Sequence, residues 1–370
     1  MSTSIPLKVP YTNFPHLVGQ VRPELHHAFD SVIDSGRYIL GPQLAEFERQ
    51  IAAFIGSRHA LGFSSGTAAL HVALRQMGIQ PGDEVITVPN SFLASASSIA
   101  LAGGTPRFAD VGDDMNMDPA ALEAAITSRT RAVIPVHLTG RPARMPEIMA
   151  IARRHRLLVL EDCAQAVGAK LLGQCAGSWG DASAFSFHPL KNLFTFGDSG
   201  LIATSDPDLH LRLWRARSHG MSTRDICDFW SDNSRMDELH AALLLVNLKK
   251  LSAWTEERRR LAIRYHAALR DIVRVPEEAT GEYHVYQTYM IRTERRDALQ
   301  AFLVGKGVEA LTHYRVPIHM QPAAAALGYR PGDFPVAQKL SDTILSLPLY
   351  PGLTEGQQDY VQQCIREFLG

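Results

Sequence analysis

Along the first two-thirds of the chain, segments with two different arrangements of apolar and polar positions alternate. Gln43–Ile55 and Thr67–Met77 carry apolar residues at the spacing of one helix face, which predicts amphipathic helices. Short unbroken apolar runs, typical of strands covered on both faces, alternate with such segments. These runs are Ala60–Phe63, Asp83–Pro89, Thr130–Val136 and Leu157–Leu160. The repeated alternation predicts an α/β fold with a mostly parallel sheet packed between helices.

The last third of the chain has a different pattern. Asp237–Ala268 is a long, mostly helical stretch, and it is followed by a predicted strand at Tyr286–Ile291 and a predicted helix at Arg296–Lys306. We therefore predict a domain boundary near residue 250, within a long connecting helix. The two domains would comprise residues 1–250 and residues 251–370. The basic run Arg258–Arg260 lies in this helical pattern and is typical of a solvated face.

Composition and charge exclude several classes of protein. The 370 residues are 46% hydrophobic and 20% charged, which is ordinary for a soluble globular enzyme. A formal net charge of −1 provides no general attraction to nucleic acid or to a membrane surface. The chain has no run of about eighteen apolar residues, and its first residues lack the basic and apolar regions of a secretory signal. We therefore expect no membrane span and no secretion.

The cysteines indicate a reduced compartment. Cys163, Cys175, Cys227 and Cys364 are scattered, without the paired spacing of a zinc site or the pattern of a disulfide framework. We expect no metal site, and a cytoplasmic location fits these cysteines best.

A turn of small residues follows the first predicted strand. Ser65-Gly66-Thr67 comes directly after Ala60–Phe63 and opens a predicted helix. The first N–H groups of a helix have no partner within it, and the helix dipole is positive there, so a phosphate would be stabilised. The same three residues are also typical of an ordinary helix N-cap.

Two acidic residues end a later predicted strand. Glu161 and Asp162 follow Leu157–Leu160, at the end of the strand that faces the ligand crevice in an open α/β sheet. Because side chains alternate along a strand, the two carboxylates point to opposite faces. We predict that Asp162 faces the crevice, where it would keep a pyridine nitrogen protonated. The alternative is an N-cap for a helix over the next residues.

Lys191 is the candidate nucleophile. Leu190, Leu193 and Phe194 surround it locally, and no acidic residue lies within four positions. A lysine amine in a desolvated pocket loses proton affinity and becomes nucleophilic. An isolated lysine on a loop is more often a solvated surface residue. Ser186, five residues earlier, offers a hydroxyl donor for a phosphate.

The order of these features along the chain predicts a pyridoxal phosphate site. The turn offers a cradle for the phosphate, Asp162 a carboxylate for the pyridine nitrogen, and Lys191 an amine for the aldehyde. A glycine-rich loop, Gly197–Gly200, follows the lysine. Phe92 follows a predicted strand and a Pro-Asn turn, where an aromatic ring can stack on a flat heterocycle. The alternative for Phe92 is a place in the core.

With these motifs the chain resembles the DegT/DnrJ/EryC1/StrS aminotransferases over nearly its whole length, from residues 35–42 to residues 345–351. The most specific segments are Glu161–Ala166, Phe185–Asn192 and Asn233–Asp237. The resemblance implies fold type I of the pyridoxal phosphate enzymes, with a mostly parallel seven-stranded sheet between helices and a smaller C-terminal α+β domain.

The resemblance also implies roles for individual residues. Lys191 would bind the cofactor and move the proton, and Asp162 would bind the pyridine nitrogen. Gln165 would lie against the ring or its 3′-oxygen, and Phe92 would stack on the ring. Asn233 would reach the phosphate of a neighbouring subunit, which implies a homodimer with shared active sites. The phosphate would be held by Gly66, Thr67 and Ser186.

The implied activity is transfer of an amino group from L-glutamate to a nucleotide-linked keto sugar, in amino sugar biosynthesis for polysaccharides or antibiotics. Ile318–Pro322 resembles a stretch of the members that aminate C3 of the hexose. Tyr314 and His319 are therefore candidates for the sugar end of the site, although packing in a turn equally explains a histidine at position 319.

Two departures from the family pattern stand out. Ser199 occupies a position that is usually glycine, which would strain the backbone if φ were positive there. Trp230–Asn233 also differs from the usual sequence, although Asn233 keeps its place. Three alternatives stay open. They are an aminotransferase for an aminocyclitol ketone, a sugar dehydratase or related lyase, and a regulatory protein with the same fold. Lys191 argues against the dehydratase, because members with that activity have histidine there.

Overall fold

The computed structural model describes residues 8–370, and its elements follow the predicted alternation of strands and helices. Residues 1–7, on which the expectation of no secretory signal partly depends, lie outside the described residues. The α-helices are α1 (Phe14–Gly19), α2 (Arg22–Ser35), α3 (Pro42–Ile55), α4 (Gly66–Gln76), α5 (Ala94–Leu101), α6 (Pro119–Ala125), α7 (Met145–His155), α8 (Pro207–Ala216), α9 (Glu238–Leu269), α10 (Arg296–Gly305), α11 (Pro335–Thr343) and α12 (Glu355–Leu369).

The strands form one large sheet and several small ones. They are β1 (His59–Phe63), β2 (Glu84–Thr87), β3 (Thr105–Phe108), β4 (Thr130–Val133), β5 (Leu158–Asp162), β6 (Lys170–Leu171), β7 (Gln174–Cys175), β8 (Ala182–Ser186), β9 (Gly200–Thr204), β10 (Met221–Thr223), β11 (Ile226–Cys227), β12 (Glu282–Tyr283), β13 (Tyr289–Arg292) and β14 (Ile344–Leu347).

The large sheet has seven strands in the order β1-β9-β8-β5-β4-β2-β3. β9 runs antiparallel to both of its neighbours, whereas the pairs among β8, β5, β4, β2 and β3 are parallel. Every residue of β2, β8 and β9 is buried. Helices on both faces explain why these strands have unbroken apolar sequences. The predicted fold class is confirmed.

Two groups of helices cover the two faces of this sheet. Leu70 and Leu74 of α4 pack with residues of α5 and α8 on one face. Phe47 of α3 and Leu244 of α9 pack on the other face, against alternate residues of the same strands. The carboxyl ends of β5 and β8 therefore open between α4 and the segments that follow these strands, where an α/β sheet binds its ligands.

The C-terminal part of the chain has a core of its own. β13 and β14 pair antiparallel, and they pack with α10, α12 and the second half of α9. α9 passes residue 250 without interruption. The division of the chain at that residue stays a prediction. None of the helices in residues 8–370 has the length and apolar composition needed to cross a bilayer.

The interpretation of Arg258–Arg260 as a solvated face is wrong for its first residue. Arg258 is buried, and its guanidinium donates to the carbonyl oxygens of Tyr286 and Leu349 at 3.3 and 2.8 Å. Burial lowers the pKa of Arg258 to about 10. The side chain therefore joins α9 to two segments of the C-terminal core, which a charge pattern alone does not reveal.

A buried carboxylate supports the start of α3. Glu238, the first residue of α9, accepts hydrogen bonds from the backbone N–H groups of Gly41, Gln43 and Leu44 at 2.9, 2.5 and 3.1 Å. The first N–H groups of a helix lack partners within it, and α3 has no side-chain cap of its own. Glu238 thus provides from a distance the cap that the sequence next to α3 lacks.

Candidate active site

The turn after β1 forms a narrow cradle at the start of α4. Ser65 caps the helix, because its hydroxyl accepts a hydrogen bond from the Ala68 N–H at 3.0 Å. The earlier N–H groups, those of Gly66 and Thr67, have no partner within the helix and point toward the same end. A Cβ atom on Gly66 would lie 2.8 Å from the Cβ of Ser186, so only glycine fits here. Ser65 can therefore cap the helix while the N–H groups of Gly66 and Thr67 bind an anion.

The glycine-rich loop closes the other side of the cradle. A Cβ atom on Gly200 would lie 2.4 Å from the carbonyl carbon of Ser65, so β9 can approach the turn only with glycine at this position. The preceding Ser199 is buried, and it is not among the residues with positive φ in the described part of the chain. Replacement of the usual glycine by serine therefore causes no backbone strain.

Asp162 ends β5 and is 4% exposed. Its Oδ1 accepts the Ala164 N–H at 3.1 Å, and its Oδ2 accepts the Ser95 hydroxyl at 2.8 Å. Turns, and not a helix, follow Asp162. The alternative in which Asp162 is a helix N-cap is therefore wrong.

Glu161 points to the opposite face of the sheet, as the alternation of side chains predicted. Its oxygens accept hydrogen bonds from His137 and from the backbone N–H groups of Gly177, Trp179 and Gly180, at 2.7–3.0 Å. The Nδ1 atom of His137 accepts the Ala143 N–H at 2.9 Å, so Nε2 carries the proton that is donated to Glu161. With both nitrogens engaged, this histidine is not available as a metal ligand.

Lys191 lies half-buried on the loop after β8. Burial lowers the pKa of its amine, and the nearby negative charge of Asp162 opposes that shift. The balance favours an amine that spends more time unprotonated than a solvated lysine does. The alternative of a fully solvated surface lysine does not describe this position.

One cavity of about 360 Å³ brings together eight of the predicted site residues. They are Gly66, Thr67, Phe92, Asp162, Gln165, Ser186, Lys191 and Tyr314. Phe92 is 53% exposed, and its ring centroid lies 5.8 Å from that of Tyr314. It is therefore a wall of the cavity and not a core residue. The cavity thus offers an anion cradle, an amine, a carboxylate and an aromatic face, which together suit a phosphorylated pyridine.

A hydrogen-bond chain that sequence analysis missed holds Gln165. The Oε1 atom of Gln165 accepts the Thr139 N–H at 2.7 Å, and its amide donates to the Tyr314 hydroxyl at 3.3 Å. The Thr139 hydroxyl lies 3.1 Å from Nε2 of the buried His284. Burial keeps the pKa of His284 well below its ordinary value. The residues next to Gln165 in sequence give no sign of its two partners, Thr139 and Tyr314, which lie 26 and 149 positions away.

Further cavity residues were not predicted. Tyr11, Thr288 and His313 also line this cavity. The Nδ1 atom of His313 lies 2.9 Å from the Ser346 hydroxyl, and burial lowers the pKa of this histidine to about 4. Burial also raises the pKa of Tyr11 to about 12. At neutral pH both side chains are therefore uncharged hydrogen-bonding groups.

Two predicted residues lie outside the cavity. His319 is 3% exposed and packs against the rings of Phe108, Tyr329 and Phe334. This is the packing alternative, so we do not retain His319 as a substrate residue. Asn233 is exposed, and its backbone pairs with Ser218 away from the cavity of its own chain.

Comparison with known proteins relates the chain to one family. The model of the DegT/DnrJ/EryC1/StrS aminotransferase family matches residues 20–366. A pleiotropic regulatory protein of Geobacillus stearothermophilus is 44% identical, over 98% of this chain and 99% of that protein. A UDP-N-acetyl-3-dehydro-alpha-D-glucosamine 3-aminotransferase of Acidithiobacillus ferrooxidans is 40% identical, over 100% of this chain and 99% of that protein. The crystal structure of DesV from S. venezuelae has a TM-score of 0.95 and 40% identity, and it covers 99% of each chain.

Proposed function

Because the chain belongs to the DegT/DnrJ/EryC1/StrS aminotransferase family, we propose that it transfers an amino group to a nucleotide-linked keto sugar. The enzyme is a transaminase, and its cofactor is pyridoxal 5′-phosphate. The observation that carries the proposal is the meeting of Lys191, Asp162 and the Gly66 cradle in one cavity.

The residues of the cavity fit this cofactor. The close approach of Gly66 to Ser186 leaves backbone N–H groups and a hydroxyl for the phosphate. Asp162 would hold the pyridine nitrogen, Phe92 would cover one face of the ring, and Gln165 would contact the ring or its 3′-oxygen. When bound, pyridoxal phosphate supplies a ring that accepts electrons from the carbon bearing the amino group.

Lys191 would act twice. Its amine, when unprotonated, would hold the cofactor through the aldehyde. When it is free, the Nζ of Lys191 would accept the proton from the donor carbon and would later give that proton up again. Burial, which lowers the pKa of Lys191, favours both tasks.

The substrate proposal is supported by the relatives. The aminotransferase of A. ferrooxidans acts, by its name, on a UDP-linked sugar with a keto group at C3. This cavity is also lined by Tyr11, His313 and Tyr314, hydrogen-bonding groups that burial keeps uncharged at neutral pH by shifting their pKa. Such groups can both donate hydrogen bonds to sugar hydroxyls and accept hydrogen bonds from them. We propose C3 of a hexose as the amination site and L-glutamate as the amino donor.

We also propose that the enzyme is a homodimer with shared sites. Asn233 is exposed beside Trp230, which is 88% exposed. Phe29, Ile33 and Tyr38 form a second exposed apolar group. Exposed apolar surface of this kind is typical of protein interfaces. The partner's Asn233 would complete the phosphate site, and the four unpaired thiols support a cytoplasmic enzyme.

The alternatives have less support. A lyase of the dehydratase kind would have histidine at position 191, and an aminocyclitol substrate would lack the nucleotide that the A. ferrooxidans relative recognises. The name of the G. stearothermophilus relative favours a regulatory role. A regulatory protein would have no use for a lysine whose pKa is lowered by burial in the same cavity as a buried carboxylate, so we retain the enzyme as the principal proposal.

A coupled assay tests the proposal. The purified protein is supplied with pyridoxal phosphate, L-glutamate and either one of a panel of nucleotide-linked 3-keto hexoses or a cyclitol ketone, and 2-oxoglutarate formation is measured for each. We expect turnover with a member of the panel, and none with Lys191→Ala. Turnover with a cyclitol ketone and with none of the keto hexoses would show that the substrate is a cyclitol and not a sugar. Sustained activity of Lys191→Ala would refute the mechanism.

A further inference from the structure

A chain of two buried serine hydroxyls ends on Asp162. Ser91 directly precedes Phe92, the residue proposed to cover the cofactor ring, and Ser95 lies in the first turn of α5. Their exposed fractions are 4% and 0%. The two hydroxyl oxygens are 2.8 Å apart, and the Ser95 oxygen is also 2.8 Å from Oδ2 of Asp162.

The direction of each hydrogen bond follows from the number of protons. An ionised carboxylate only accepts, so the single hydroxyl proton of Ser95 goes to Asp162. The Ser95 oxygen then has lone pairs but no further proton to give, and the proton between the two serines must come from Ser91. The donors therefore run in one direction, from Ser91 through Ser95 to Asp162.

Both oxygens of Asp162 are thereby held. Oδ2 accepts the Ser95 hydroxyl, and Oδ1 accepts the Ala164 N–H at 3.1 Å. Two contacts on different oxygens fix the plane of a carboxylate, which a single contact does not. A carboxylate has about four acceptor positions, so unused lone pairs remain for a group in the cavity.

We propose that Ser95, itself held by Ser91, is a positioning residue that orients Asp162 toward the nitrogen of the cofactor ring. This inference rests on the proposed role of Asp162. Ser95 lies 67 positions before Asp162 and on a different element, so it couples the start of α5 to the end of β5. Ser91 is adjacent to Phe92 in sequence. The hydrogen bonds that hold Asp162 are therefore connected directly to the residue proposed to cover the cofactor ring.

The chain contains a matched control. Ser98 lies one turn further along α5 and is also fully buried. Its hydroxyl has only a long contact, 3.5 Å, to the Ser95 carbonyl oxygen, and it does not bond Asp162. Loss of a buried hydroxyl from α5 is therefore common to Ser95→Ala and Ser98→Ala, whereas loss of the bond to Asp162 occurs only in the first.

The test measures cofactor affinity without any substrate. The cofactor-free protein is titrated with pyridoxal phosphate, and binding is followed by its visible absorbance. We expect Kd to rise on the order of tenfold in Ser95→Ala, as for loss of a hydrogen bond to a charged group. Ser95→Thr keeps the hydroxyl and should restore most of the affinity, and Ser98→Ala should bind as the unaltered protein does.

A kinetic readout separates orientation from packing. With L-glutamate, the rate constant of the cofactor's conversion should fall in Ser95→Ala while the glutamate concentration for half-saturation stays unchanged. Thermal unfolding of the cofactor-free variants shows whether they fold. If Ser95→Ala does not fold, Ser91→Ala, which removes the donor to Ser95, is measured instead and should show a smaller loss in the same direction.

The outcomes are distinct. Equal affinity and rate in Ser95→Ala and the unaltered protein would overturn the inference, and so would equal losses in Ser95→Ala and Ser98→Ala. A folded Ser91→Ala with unchanged affinity and rate would also overturn it where that variant has to be used. If the unaltered protein bound no cofactor, the proposed function itself would fail, which is a different result from a variant that binds as well as its parent.

Discussion

At the scale of single residues, the site depends on a few polar groups whose partners lie far away in sequence. Asp162 was predicted from its place at a strand end, but its donor Ser95 is 67 residues distant. Gln165 was assigned by resemblance, whereas nothing in the sequence indicates that Thr139 is its partner or that His284 lies beside the Thr139 hydroxyl. Sequence patterns can predict the role of a residue when its environment is formed by its neighbours in the chain. Partners brought together by the fold are found only in the structure.

Replacement of Asp162 by asparagine tests the role of its charge. The amide oxygen of Asp162→Asn can still accept a hydrogen bond from Ser95 or Ala164, so the fold and cofactor binding should persist. An amide does not keep the pyridine nitrogen protonated, and the rate with L-glutamate should fall by roughly a hundredfold or more. Single-turnover absorbance measurements give this rate. A rate constant equal to that of the unaltered enzyme would contradict the assignment.

His313 makes stability depend on pH. In the unfolded chain its imidazole is protonated as the pH falls through about 6.5, whereas burial in the folded protein lowers the pKa to about 4. Between these values the unfolded state binds more protons, so stability should decrease as the pH falls from about 6.5 to about 4. The unfolding temperature is measured across this range.

A glutamine in place of His313 removes this contribution. The unfolding temperature of His313→Gln should therefore fall less steeply with acid than that of the unaltered protein. His27→Gln, at an exposed position on α2, serves as the control and should keep the original slope. Identical slopes in all three proteins would show that His313 does not cause the dependence.

At the scale of elements, the predictions were most successful where apolar patterns were strong. The segment Gln43–Ile55 is α3, the long pattern from residue 237 is α9, and Leu157–Leu160 overlaps β5. The antiparallel direction of β9 was not predicted, because a buried strand has the same apolar sequence in either direction. The helix that was considered as an alternative after Asp162 is absent, because β5 is followed by turns at residues 164–165 and 167–168.

The cap supplied by Glu238 should be measurable as stability. In Glu238→Ala the N–H groups of Gly41, Gln43 and Leu44 lose their acceptor, and unfolding should become easier by about 2 kcal/mol. The free energy of unfolding is obtained from urea titration. Glu46→Ala, which removes a side chain that is 40% exposed from the same helix, should change the free energy of unfolding by less than about 1 kcal/mol. Equal effects of the two substitutions would contradict the capping role.

At the scale of the whole molecule, the proposed dimer predicts complementation. Lys191→Ala removes the amine from a site, and Asn233→Ala removes the group offered to the partner's site. In a mixed dimer one site would carry both defects and the other neither, so activity should return to up to roughly half per dimer. The measurement is turnover of purified heterodimers carrying two different tags. Inactive heterodimers would exclude a shared site that depends on Asn233.

The central claim is that Lys191 and Asp162 operate a bound pyridoxal phosphate. It is tested most directly by the absorbance spectrum of the protein with this cofactor, recorded before and after addition of L-glutamate. We expect a visible absorbance band that disappears when L-glutamate is added, because the cofactor takes up the amino group. We expect no such band in the spectrum of Lys191→Ala with the cofactor. A visible band that persists in Lys191→Ala, or a protein that binds no cofactor, would contradict the account.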